Sequence, residues 1–248
     1  MGIWQKRVSA LICFPALFAL AACGGETAEA PAEIAENSES AELPEIPVMG
    51  PERTILAFGD SLFAGYGLEP GQSYPAKLEN ALRRQGINAV MVNAGISGDT
   101  SSAGLERLEF TLDSQDTKPD LFILELGGND LLRGISPEET RANFDAMLTE
   151  LNSRDIPVLI MGMRAPPNYG PEYQAEFDAI YAEMAEKYDT AIIPFWLNDI
   201  YEDTNLFQRD RIHPTEEGIE ALVASTLDEV AAAIPQEEDP QEEDAEAG

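Results

Sequence analysis

The stretch "TILAFGDSL", residues 54–62, passes from an unbroken apolar run into a polar turn. An apolar run without alternation fits a strand covered on both faces, as in a parallel sheet. Four further runs share that character: "AVMVNA" (89–94), "LFILELG" (121–127), "VLIMGM" (158–163) and "AIIPF" (191–195). The segments between them carry helical spacing. Ser136-Pro137-Glu138-Glu139 reads as a capping box with Pro at the first helical position. Phe144, Met147, Leu148 and Leu151 then fall on one helix face, as do Ile219, Leu222, Val223, Thr226, Leu227 and Val230 near the end. Alternating strands and helices predict a three-layer α/β/α fold around a parallel sheet. Ligands bind such sheets at the carboxyl ends of the strands, so candidate residues should follow strands.

The chain has 248 residues, of which 44% are hydrophobic, enough for one large domain; the continuous body spans 51–234. The formal charge is −31, but it is uneven. Residues 24–50 hold seven Glu and no base, and 235–248 hold seven acids and no base. Both read as disordered acidic segments, a tether and a tail. As a flexible coil the tether would reach roughly 30 Å. The body remains strongly acidic, with no basic stripe, which argues against a nucleic-acid partner and against anionic lipid surfaces. Residues 1–23 read as a targeting segment. Lys6 and Arg7 precede a short apolar run, Val8 to Leu20, and Leu20-Ala21-Ala22-Cys23 resembles the bacterial lipobox, in which the Cys carries the lipid. The expectation is a chain tethered to a membrane of the bacterial cell envelope through Cys23 alone, facing the periplasm. Gly24, not Asp, follows Cys23, which by resemblance to the common lipoprotein sorting rule leans it toward the outer membrane. Cys13 lies in the removed segment, so the mature chain would hold no disulfide.

Polar clusters do follow the strands: Gly59-Asp60-Ser61-Leu62, Ser97-Gly98-Asp99-Thr100 and Gly127-Gly128-Asn129-Asp130. A fourth, Asp210 with His213, precedes the last helix. A serine hydroxyl is a weak nucleophile until a base takes its proton, and histidine suits that task near neutrality. His213 is the only histidine in the chain, so the base has no competitor. Asp210 is the nearest carboxylate able to orient its ring. A developing oxyanion needs fixed donors. The Gly98 N–H, the Asn129 amide and the Ser61 N–H are the candidates.

Together G-D-S-L at 59–62, the glycine of S-G-D-T, G-G-N-D at 127–130 and D-x-x-H at 210–213 resemble the GDSL/SGNH hydrolases. The stretches "NAGISGDTSSAGLERL" and "MRAPPNYGPEY" are similar to its thioesterase I/lysophospholipase L1 and arylesterase branch. The resemblance implies a five-stranded sheet of order 2-1-3-4-5. It implies Ser61 as nucleophile, His213 as base and Asp210 as its orienting acid. Ser61, Gly98 and Asn129 would form the oxyanion hole. It implies no cofactor, and a small ester or thioester as substrate. An envelope carbohydrate O-deacetylase and a catalytically silent ligand-binding lipoprotein are the alternatives.

Plainer roles compete for some of these residues. Asp60, Asp99 and Asp130 read as caps and turn braces. Glu125 falls in a strand that should be buried and needs a partner the sequence does not name. Asp199, Glu202 and Asp203 lack a calcium-loop pattern, and with no second His or Cys available no metal site is expected.

Overall fold

The computed structural model describes residues 46–236. The targeting segment, Cys23, most of the expected tether and nearly all of the acidic tail lie outside the described residues. The first described residues lie against the body: Arg83 Nε donates to the Ile46 carbonyl at 2.8 Å and Asn88 Nδ2 to the Gly50 carbonyl at 3.1 Å.

Five strands form one parallel sheet in the order β2-β1-β3-β4-β5. They are β1 (Arg53–Gly59), β2 (Ala89–Gly95), β3 (Leu121–Glu125), β4 (Val158–Met161) and β5 (Ala191–Ile193). The helices are α1 (Ser61–Ala64), α2 (Tyr74–Arg84), α3 (Ser101–Asp113), α4 (Gly128–Arg133), α5 (Pro137–Ser153), α6 (Pro171–Tyr188) and α7 (Glu216–Ala233).

The strand order dictates the layers. The chain steps one way from β1 to β2, then the other way through β3, β4 and β5. Right-handed crossovers therefore put α2 on one face and α3, α5 and α6 on the other. The helix contacts agree, since α2 packs with α7, and α5 packs with both α3 and α6. β1 and β3 are fully buried over most of their length, as their unbroken apolar runs require. Ser136 is the N-cap of α5, with Glu139 N–H donating to Ser136 Oγ at 3.2 Å; the return bond of a capping box, from Ser136 N–H to the Glu139 carboxylate, is not formed among the described residues. Thr226, the polar member of the last apolar stripe, is buried and bonds Tyr74 Oη at 2.6 Å, tying α7 to α2.

Three strands end earlier than the apolar runs suggest. β3 stops at Glu125 because Gly127, at φ 106°, already caps α4. β4 and β5 stop at Met161 and Ile193, where Gly162 and Pro194 follow. The direction reverses between β1 and β3, so a crevice opens at their carboxyl ends.

Candidate active site

β1 delivers Gly59 to the crevice, and the next residue starts a helix of only four residues. Asp60 caps it, its Oδ1 accepting from Leu62 N–H at 3.0 Å. Gly65, at φ 79°, ends it. Ser61 is thus the first helical residue, where a backbone N–H has no intrahelical acceptor. That N–H has no hydrogen-bond partner among the described residues. Its hydroxyl lies 2.9 Å from His213 Nε2. The Asp60 carboxylate, at 3.5 Å, is too far to compete.

The spacing of Asp210 and His213 has a local cause. Asp210 Oδ1 accepts from the Ile212 and His213 N–H groups at 3.0 and 3.1 Å, closing an Asx turn. Arg211 takes φ 60° within it. The other carboxylate oxygen then meets His213 Nδ1 at 2.8 Å. With the ring hydrogen on Nδ1 drawn to Asp210, Nε2 presents a lone pair toward Ser61. Burial alone would raise the Asp210 pKa, but hydrogen bonds from the His213 ring and from the two turn N–H groups outweigh it and hold the carboxyl below its ordinary range.

Gln208 holds the loop from behind. Its N–H donates to the His213 carbonyl at 2.7 Å, and its Nε2 donates to the Tyr66 and Pro214 carbonyls at 2.8 and 3.0 Å. The Tyr66 ring lies on the imidazole, centroids 4.4 Å apart. Thr215 caps α7, its side chain accepting from Gly218 N–H at 3.2 Å, and Pro214 stands just before the cap.

Gly98 occupies φ 90°, where an L side chain is strained. Its N–H has no partner among the described residues, while its carbonyl accepts from Arg133 Nη2 at 2.6 Å. Asn129 Nδ2 donates to Asp60 Oδ2 at 2.9 Å and to the Asp99 carbonyl at 3.0 Å. Both amide hydrogens therefore have acceptors, and an oxyanion would have to draw one away from Asp99. Asp60 thus does more than cap, because it also orients Asn129. Asp99 pairs with Arg107 at 2.6 Å, and buried Asp130 accepts from Ser101 and Thr140, so these two brace the loops.

Glu125 is fully buried below this layer. Its partner is the Asp60 N–H, which donates to Oε2 at 3.2 Å; Oε1 has no partner among the described residues. Gly59 makes room for it, since a Cβ there would stand 2.6 Å from Oε2. Burial, then the nearby Asp60 charge, push the Glu125 carboxyl well above its ordinary range. Burial also raises Asp60, from 3.8 to about 6, although the Leu62 N–H, Asn129 and His213 oppose the rise. Of the two, Glu125 is the one that burial drives hardest toward its neutral form. Asp60 binds its proton more tightly folded than unfolded, so its contribution to stability falls as pH rises from about 4 to about 6. Denaturant titrations across that window should show this loss in the wild type and in Glu125→Gln, but not in Asp60→Asn. Glu125→Gln should stay within about 1 kcal/mol of wild type at pH 7, because one neutral hydrogen-bonding group replaces another. A gain of several kcal/mol there would mean that Glu125 is ionised.

The residues converge on a cavity of about 530 Å³. Its walls are largely apolar and include Leu131, Met163, Phe195, Leu197 and Phe207. The loops after α1 and after β4 contribute, and so does α4 itself through Leu131 and Leu132. The segment 195–207 forms a further wall, which the sequence reading misses. Tyr66, Gln208 and Arg133 are also missed, because their contacts join residues far apart in the chain and leave no local pattern. Among the described residues no cluster of His, Cys, Asp and Glu is placed to hold a metal ion.

The chain is 40% identical over 162 residues to the "Esterase TesA" of Pseudomonas aeruginosa, covering 65% of this chain and 80% of that one. It is 37% identical over 164 residues to the "Thioesterase 1/protease 1/lysophospholipase L1" of Escherichia coli, covering 66% and 76%. Among solved structures, the SGNH-hydrolase family esterase AlinE4 is 60% identical, with a TM-score of 0.65 over 76% of this chain and 100% of that one. The profile of the GDSL-like Lipase/Acylhydrolase family matches residues 57–221, which span every residue of the crevice described above, and the chain belongs to that family of ester-hydrolysing enzymes.

Proposed function

We propose that this chain is a serine esterase that cleaves carboxylic esters or thioesters of apolar acyl groups through an acyl-enzyme on Ser61. The observation that carries the reading is the line of short contacts from Asp210 through the His213 ring to Ser61 Oγ, 2.8 and 2.9 Å, at the mouth of an apolar cavity. Ser61 Oγ attacks the carbonyl carbon while Nε2 takes its proton. The carbonyl oxygen gathers negative charge and meets the Ser61 N–H, the Gly98 N–H and the Asn129 amide. Collapse expels the alcohol or thiol, which leaves with the proton from His213. Water, activated by the same ring, then cleaves the acyl-Ser61 ester and frees the acid. Relatives named as esterase, thioesterase, lysophospholipase and arylesterase support this range of leaving groups.

A fluorophosphonate probe tests the reading. It should label the wild-type chain and leave Ser61→Ala unlabelled; equal labelling of the two would sink the assignment of the nucleophile. Rates across esters and thioesters of rising chain length then fix the acyl preference.

The same reading places the enzyme on the periplasmic side of a bacterial envelope membrane. Residues 1–23 act as a lipoprotein signal, Cys23 carries the anchor, and the acidic tether leads to the body. Labelled palmitate should enter the full chain in a bacterial host, and Cys23→Ser should abolish the incorporation. Label retained in that variant would remove the anchor. Among the described residues no helix is long and apolar enough to cross a membrane.

A further inference from the structure

Seven large hydrophobic side chains are exposed among the described residues, and they are not scattered. Tyr66, Leu132, Tyr201 and Ile212 all line the cavity that contains Ser61, and Ile96 immediately precedes the lining residue Ser97. The mouth of the active site therefore carries an apolar rim. An exposed apolar patch of this kind marks a surface built to meet something. Two of its members are tyrosines, whose rings suit a boundary between water and hydrocarbon.

Charge narrows the partner. Arg164 and Arg211 line the same cavity, and neither has an ion pair or a side-chain hydrogen bond among the described residues. Arg164 only lies over the Phe195 ring, at 5.1 Å. They are the two arginines that line the cavity. Arg164 and Tyr201 also line an adjoining groove, which holds Asp199, Glu202 and Asp203. The rim thus offers apolar side chains, cations that match phosphate, and carboxylates that match ammonium. A net anionic lipid surface would gain from the arginines but meet the field of a strongly acidic body.

We infer that the rim of the active-site mouth is a docking surface for a zwitterionic phospholipid interface. The apolar side chains enter the boundary between head groups and acyl chains, Arg164 and Arg211 meet phosphates, and the acidic groove meets the ammonium groups. Docked in this way, the cavity opens toward the hydrocarbon, so an acyl chain can pass into it without crossing water. The rim makes this contact whether or not Cys23 carries a lipid.

The test is co-flotation of the full chain carrying Cys23→Ser, so that no anchor contributes, with phosphatidylcholine vesicles and with phosphatidylglycerol vesicles. The chain should float with phosphatidylcholine and less with phosphatidylglycerol. Adding Ile96→Ser and Leu132→Ser should lower the partition coefficient roughly tenfold or more, and Tyr201→Ser should lower it on its own. Phe110 supplies the control: it is 78% exposed, lies on α3 and does not line the cavity. Phe110→Ser should float as its parent does. The inference is overturned if the parent does not float, or if Phe110→Ser loses as much as the rim variants. It is also overturned if phosphatidylglycerol binds better, or if the rim proves to pair two copies of the chain in the absence of vesicles. None of these readouts depends on ester cleavage, so failure here leaves the catalytic reading intact.

Discussion

Replacing His213 with Ala is expected to lower kcat by about 10⁶, or roughly 8 kcal/mol of barrier. The size follows from what remains. Without the imidazole, Ser61 keeps its proton, and no other histidine exists to take it. Asp210 is held on the far side of the ring, against Nδ1, and does not reach the hydroxyl. The oxyanion donors survive, since the Ser61 and Gly98 N–H groups are backbone and Asn129 is held by Asp60. Some rate above water should therefore persist. The loss should appear in kcat and only weakly in KM, because His213 is one edge of a cavity with many apolar walls. Steady-state rates on a short soluble aryl ester measure it. A variant that kept more than about one part in 10² of the activity would remove His213 as the base.

Asp210→Asn is expected to cost about 10⁴ in kcat with the fold unchanged. The side chain has two separable tasks. One oxygen accepts the Ile212 and His213 N–H groups and shapes the turn; Asn can do the same. The other accepts from His213 Nδ1, and an amide nitrogen there cannot. The ring would move its hydrogen to Nε2, presenting a donor where Ser61 needs an acceptor. The variant should match wild type in thermal unfolding near pH 7 while turning over about 10⁴ more slowly. If Asn retained most of the activity, the ring would be held in its tautomer by something other than Asp210.

The two halves of the site differ in how far the chain announced them. The Asp210–His213 turn is local, three residues wide, and its geometry is an Asx turn of the kind that spacing permits. The central strands were also legible, because strands buried on both faces must be written as unbroken apolar runs; β2 and β5, at the two edges, are apolar too but only partly covered. The strand ends were harder to read. At 126–127 and 162 the apolar letters continue, but the backbone has already turned to serve α4 and the loop after β4. Glu125 looked like an orphan because its partner is a backbone N–H, which has no letter of its own. The register that sets Gly59 beside Glu125 exists only once β1 and β3 pair. Tyr66 and Gln208, 142 residues apart, meet only because α1 and the histidine loop share one end of the sheet. The cavity wall at 195–207 is apolar yet irregular, so no period marks it.

The tie between α2 and α7, through Tyr74 and Thr226, bears on when this enzyme can begin to act. The proposed nucleophile is made early, just after the first strand, while its proposed base precedes the last described helix. A ribosome that has reached β5 has produced Ser61 and every proposed oxyanion donor but no histidine. The loop bearing His213 runs directly into α7, and α7 rests on α2. On the proposed mechanism, competence therefore arrives only after α7 is made and docked, and a partly synthesised chain carries no working hydrolase.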